Sequence, residues 1–131
     1  MWIGVDVLQA GELDRLLRRD WFRAYVYAPE ELAVAASFGE DRAREFLTGR
    51  FAGKEAALKV IGTGFGSGVT PRQIAILRTG GGAPVVRLSG RAQQVAAEAG
   101  MAGIHLSITH KKGMVVAAAM GVPRFVEQTG A

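Results

Sequence analysis

The 131-residue sequence predicts an α+β fold, a single compact domain in which a mostly antiparallel sheet with hairpins packs against one long and several short helices. Three observations carry that expectation. Short runs alternate apolar and polar residues at the period of a strand, and a long central stretch repeats at the period of a helix. Glycine-rich breaks also separate strand-like runs closely enough for hairpins. The length suits one domain and is short for two.

Trp2 to Leu8 sets Ile3, Val5 and Val7 against Gly4, Asp6 and Leu8, a half-buried strand with Asp6 on the face away from the Ile/Val set. Ala10 to Asp20 places Leu13, Leu16 and Leu17 at helical spacing, with Arg15, Arg18 and Arg19 opposite, and predicts a short amphipathic helix. Pro29 opens a further helix, with Glu30 and Glu31 where the helix dipole favours acids, and it is expected to stop near Gly39. From about Glu40 to Ile61 runs the longest helix. Leu47, Phe51, Leu58 and Ile61 form its stripe, widened by Phe46, Ala57 and Val60, so most of it should be buried. Arg50 and Lys54 lie beside that stripe and therefore need partners. Gly62 ends the helix. Gln73 to Thr79 and Pro84 to Ser89 read as strands joined through Gly80, Gly81 and Gly82. Ser89 can cap a helix that runs to Gly100. Ile104, Leu106 and Ile108 alternate in a strand, His110 to Gly113 turn, and Met114 to Met120 return. The expected domain is 1–121, with a weakly specified tail at 122–131.

With 49% apolar and 21% charged residues, no segment has the composition of a disordered region. The chain lacks cysteine, which excludes disulfides, thiolate metal sites and a cysteine nucleophile. A formal charge of +4 favours polyanionic partners, and the basic residues fall in two clusters. Arg15, Arg18, Arg19 and Arg23 form one; Arg42, Arg44, Arg50, Lys54 and Lys59 form the other. No nucleic-acid recognition motif is present, which argues against a nucleic-acid partner. No signal-peptide pattern and no apolar run of a membrane-span length are present, so a cytoplasmic protein without a membrane partner is expected.

Asp6, Glu55 and His110 together could hold a hard cation such as magnesium, which takes carboxylate oxygens and substrate phosphates. Each also has a structural reading: Asp6 as a turn cap, Glu55 as the partner of Lys59 one turn on, and His110 as a hairpin residue. Gly62, Thr63 and Gly64 open a loop with further glycines at 66 and 68. Its bare backbone N–H groups could approach a phosphate, or it could simply connect helix to strand. It is neither a P-loop nor a dinucleotide fingerprint. Arg50, Lys54 and Lys59 on the preceding helix point toward a phosphate ligand. The arginines of the first helix read either as a solvated face or as a partner surface.

These residues also carry a resemblance. Ile3-Gly4-Val5-Asp6, the block from Phe46 through Gly49-Arg50-Phe51-Ala52-Gly53-Lys54-Glu55-Ala56-Ala57-Leu58-Lys59, Gly62-Thr63-Gly64 and Leu106-Ser107-Ile108-Thr109-His110 resemble the holo-acyl-carrier-protein synthases in order and separation. The resemblance implies transfer of 4′-phosphopantetheine from coenzyme A to a serine of an acidic apo acyl carrier protein, with magnesium as cofactor. It implies that Asp6 and Glu55 bind magnesium, that Lys59 contacts the pyrophosphate and that His110 lies near the cofactor phosphates. Arg50, the loop from Gly62 and Pro84 are implied on the nucleotide side, and Arg15 on the carrier-binding helix, where Arg18 and Arg19 add charge. Glu55 is the candidate for taking the serine proton. Gly53 departs from the family's usual alanine. A homotrimer with sites between subunits is also implied; Asp6 and His110 on one subunit with the Lys59 helix on its neighbour is one arrangement of such a site, and the sequence does not decide which subunit supplies which residue. Two other readings stand beside this one: a catalytically silent module that binds carrier or coenzyme A, and a small basic nucleic-acid binder.

Overall fold

One helix of 22 residues organises the chain, and the strands are laid against it. The computed structural model describes residues 2–62 and 67–125. The elements are β1 (Ile3–Gln9), α1 (Asp14–Leu17), α2 (Asp20–Val26), α3 (Pro29–Ala36), α4 (Glu40–Ile61), a 3-10 turn (Pro71–Gln73), β2 (Ile74–Arg78), β3 (Pro84–Leu88), α5 (Gly90–Glu98), β4 (Met101–Lys111) and β5 (Met114–Pro123). Two antiparallel sheets result, one three-stranded in the order β1-β5-β4 and one formed by β2 and β3. The α+β class expected from the sequence is the observed one.

The long helix runs over the predicted span. Glu40 and Asp41 in its first turn and Lys59 in its last complement the helix dipole. Gly62 ends it with a left-handed φ of 76°, its N–H donating to the Leu58 carbonyl. The three-stranded sheet sits on this helix through small side chains: Ala52, Ala56, Ala57 and Val60 of α4 meet Val115, Ala117 and Ala119 of β5. Close approach is most extreme at Gly4, where a Cβ would lie 2.1 Å from the Ala56 carbonyl oxygen. Gly53 has a different reason. A methyl there would come within 2.7 Å of Ile76 Cδ1 and 2.9 Å of Leu106 Cδ2. These longer side chains occupy the space, offsetting a helix-propensity cost of about 1 kcal/mol. A second apolar cluster gathers Leu13, Leu17, Phe22, Val26, Tyr27, Phe46 and Leu47.

Several expectations change. The first amphipathic helix covers only Asp14–Leu17, and the chain is extended at Arg19 before α2 starts at Asp20. Leu17 and Phe22 are five residues apart, which on one continuous helix would put them on different faces. The break lets both enter the same cluster. In β1 the buried side is Gly4, Asp6 and Leu8, whereas Ile3, Val5 and Val7 are exposed. His110 belongs to β4, because the turn is confined to Lys112 and Gly113, both with positive φ. Strand β5 continues through Val122 to Pro123, so the expected tail begins inside the sheet. Ser89 precedes α5 without a side-chain capping bond. Gln73 Oε1 instead accepts the Ala92 N–H at 3.1 Å. Thr63 and Gly64, and the tail beyond residue 125, lie outside the described residues.

Candidate active site

Asp6 and Glu55 are brought together where β1 crosses α4. Lys59, one turn beyond Glu55, donates its Nζ–H to the Val5 carbonyl at 2.7 Å and lies 3.4 Å from Asp6 Oδ1. The second Asp6 oxygen, Oδ2, is buried and has no hydrogen-bond partner among the described residues. Burial and the Asp6 charge push the Glu55 carboxyl pKa up, with Lys59 opposing. Two adjacent carboxylates, one oxygen without a donor, make a donor set that fits a hard cation such as magnesium. The alternative reading of Glu55 as the ion-pair partner of Lys59 is not met among the described residues, since Lys59 turns to β1. Asp6 and the Lys59 helix, whose subunit the sequence left undecided, touch within a single chain.

His110 does not join them. Its Nε2 would lie 3.0 Å from a Cβ on Gly49, and its Nδ1 is 3.5 Å from Glu45. Gly49 is about 9 Å along the α4 axis from Glu55. Among the described residues no group of three histidine or acidic side chains is placed to hold a metal. The fold thus keeps His110 apart from Asp6 and Glu55, the pair that the resemblance implies for magnesium.

His110 instead meets a basic pocket. Arg50, Arg78, Gly82, Pro84, Leu106, Ser107, Ile108 and His110 line a cavity of about 230 Å³. Arg50, Arg78 and His110 also border a second cavity of about 200 Å³, with Phe38, Arg42, Glu45 and Phe46. A larger groove of about 480 Å³ reaches His110 from Asp14, Arg44, Lys111 and the Lys112–Gly113 turn. Arg50 is buried, with its guanidinium 4.4 Å above the Phe46 ring and its Nε without a partner. Burial and then the nearby Arg78 charge lower its pKa. Of the ion pairs among the described residues, none involves Arg42, Arg50 or Arg78. An anion in this pocket would relieve the repulsion. Arg78 was missed from the sequence, where a single arginine before a glycine turn carries no signal.

Lys54 is turned inward. It is fully buried, and its ammonium donates to Glu31 Oε1 at 2.6 Å, the Pro71 carbonyl at 3.1 Å and the Ile74 carbonyl at 2.6 Å. All three N–H groups are thus used inside the fold, which leaves none for a ligand and corrects the expectation of direct contact. Arg15, Arg18 and Arg19 are exposed, next to exposed Leu16, Trp21 and Tyr25.

A family model described as the 4′-phosphopantetheinyl transferase superfamily matches residues 3–119. The chain belongs to that superfamily. Within it, the similarity is to the holo-[acyl-carrier-protein] synthases. One from Desulfovibrio desulfuricans is 37% identical over 117 residues, 88% of this chain and 91% of that protein. The holo-ACP-synthase structure from Plasmodium yoelii is 32% identical with a TM-score of 0.82, covering 95% of both chains. A holo-(acyl-carrier-protein) synthase from Bacillus anthracis, in complex with CoA (3′,5′-ADP), is 30% identical with a TM-score of 0.76, covering 95% of this chain and 96% of that one.

Proposed function

We propose that this chain transfers the 4′-phosphopantetheine arm of coenzyme A to a serine of an apo acyl carrier protein, and that Asp6 and Glu55 hold the magnesium ion the reaction uses. The observation that carries the site is the buried, unpartnered Asp6 oxygen beside Glu55 and Lys59. The serine oxygen forms a bond to the phosphorus that bears the pantetheine arm. The bond from that phosphorus to the bridging oxygen breaks, and adenosine 3′,5′-bisphosphate leaves. Magnesium, when bound, supplies charge neutralisation at the pyrophosphate. Lys59 offers a cation to the leaving phosphate. Glu55 is the candidate acceptor of the serine proton, through an intervening water, because a carboxylate that holds the cation is a poorer base by itself. Arg50, Arg78 and His110 are proposed to hold the nucleotide phosphates, with Pro84 on the adenine side and the Gly62-Thr63-Gly64 segment beside the cofactor. Arg15, Arg18 and Arg19 are proposed to receive the acidic carrier.

Self-association is part of this reading. Ile3, Val5 and Val7 lie directly across from Met120, Ala118 and Val116 in the β1–β5 register. Together they form an apolar sheet face in which Ile3, Val5, Val7 and Met120 are about half exposed. A second copy of the chain is the proposed occupant, and a homotrimer the proposed assembly. A neighbour could then bring its basic pocket toward the Asp6–Glu55 corner. No described helix is long and apolar enough to cross a membrane. The cytoplasm is the proposed location, and residues 1–121 the proposed transferase domain.

Mass spectrometry of an apo carrier incubated with this protein, coenzyme A and magnesium tests the reading. The expected result is a gain of one phosphopantetheine per carrier. Several apo carriers left unmodified by folded protein would favour a silent binding module instead.

A further inference from the structure

Lys54 stands one helical turn beyond Arg50 on α4 yet never reaches the basic pocket. Its partner Glu31, on α3, is also fully buried. Glu31 accepts the Ala28 N–H on Oε1 at 2.8 Å and the Ile76 N–H on Oε2 at 3.0 Å. Between them the two side chains hold β2 at both the Ile74 carbonyl and the Ile76 N–H. Arg78 follows on the same face of that strand, and Pro84 is its cross-strand partner.

That attachment matters because among the described residues β2 pairs only with β3, and a two-stranded ladder has little stability of its own. Apolar contacts hold a strand against a helix but are non-directional and do not define its position along the helix axis. Hydrogen bonds to one carbonyl and one N–H do define it. The polar pair therefore sets the distance between Arg50 on the helix and Arg78 on the strand.

We infer that Lys54 and Glu31 are positioning residues for coenzyme A recognition: they fix β2 against α4 so that Arg50 and Arg78 converge on one anionic group of the nucleotide, which neither Lys54 nor Glu31 touches. The inference rests on the reading of the basic pocket as the nucleotide site.

The test is calorimetric titration of the full chain with adenosine 3′,5′-bisphosphate, together with KM measurements for coenzyme A and for carrier. Wild type is compared with the double variant Lys54→Met/Glu31→Gln and the single variant Lys54→Gln, each checked for cooperative melting. The expected result is a nucleotide Kd and coenzyme A KM weakened about tenfold or more, because displacement of binding groups by about 1 Å has effects of this size or larger. The carrier KM stays within about twofold, since that surface lies on another part of the fold. In the double variant, Arg78→Ala adds much less than it does in wild type, as expected of groups acting through one another. A folded double variant that binds nucleotide like wild type overturns the inference and leaves the proposed function standing. Equal losses for both substrates also overturn it, since they report a general loosening. A wild type that binds no nucleotide overturns the proposed pocket and this inference together. Should both variants fail to fold, a crystal structure of wild type with the same nucleotide decides. Lys54 Nζ still on Glu31, Pro71 and Ile74 supports the inference, and Nζ moved onto the nucleotide overturns it.

Discussion

Replacing Gly4 with alanine should damage both stability and turnover, and the structure sets the scale of each. The new methyl carbon would sit 2.1 Å from the Ala56 carbonyl oxygen and 3.0 Å from Lys59 Cβ. Even close carbon–oxygen contacts are about 3.3 Å, so β1 must retreat from α4 by about 1 Å. The opposing atom is helix backbone, which cannot rotate away. Overpacking of this kind costs about 1–3 kcal/mol, equivalent to a melting-temperature loss of roughly 4–12 °C for a domain of this size. The same retreat carries Asp6, two residues along β1, away from Glu55, the neighbour of Ala56. A misplacement of about 1 Å at reacting groups can cost about 100-fold in rate. The assay is calorimetric melting alongside phosphopantetheine transfer followed by carrier mass at saturating coenzyme A. Gly80→Ala is the control, because a methyl at Gly80 meets nothing within 4 Å. A Gly4→Ala protein that melts and turns over like the control would refute both the packing argument and the placement of Asp6 at the site.

Glu55→Gln keeps size and hydrogen bonding but removes the charge a hard cation needs, so the folded variant should lose most turnover and need far more magnesium for the rest. Unchanged rate and magnesium dependence would remove Glu55 from the site. Because the fold raises the Glu55 pKa above its ordinary value of 4.5, its ionisation is disfavoured in the native state. Its contribution to metal-free stability is therefore present below that value and lost as pH rises through the raised one. Melting temperatures of the metal-free chain across that range should fall more steeply for wild type than for Glu55→Gln, and parallel curves would contradict the assignment. Val5→Asp puts a charge into the exposed β1–β5 face and should shift light-scattering mass from oligomer to folded monomer. An unaltered oligomer would exclude that face as the contact. Reversing Arg15 to Glu should raise the KM for carrier and spare that for coenzyme A, with the difference shrinking in high salt. Equal effects on both would contradict a separate docking surface.

The sequence by itself determined the elements whose cause is local and the residues whose spacing is a motif. The span of α4 was legible from one apolar stripe and the glycine at its end, and the β2–β3 and β4–β5 hairpins from alternation around glycine. Asp6, Glu55 and Lys59 were singled out through short, ordered motifs that resemble a known family, and the fold brings Asp6 and Lys59 into contact. The break between α1 and α2 was not legible, since it depends on Leu17 and Phe22 finding the same cluster. Nor was the face of β1 that meets α4: alternation defines two sides of a strand without saying which is covered, and Gly4 decides it by allowing contact with Ala56. For Lys54 the sequence shows the need of a partner, since it lies beside the apolar stripe of the helix, but not which partner. Only the tertiary structure sends Lys59 to β1 and seals Lys54 against Glu31, 23 residues earlier in the chain. The same holds for Arg78, which acquires its meaning from Arg50 across the fold. A periodic pattern records which way a side chain points relative to its neighbours in the chain. What it meets there depends on which surfaces pack together, and that is settled only when the whole chain is folded.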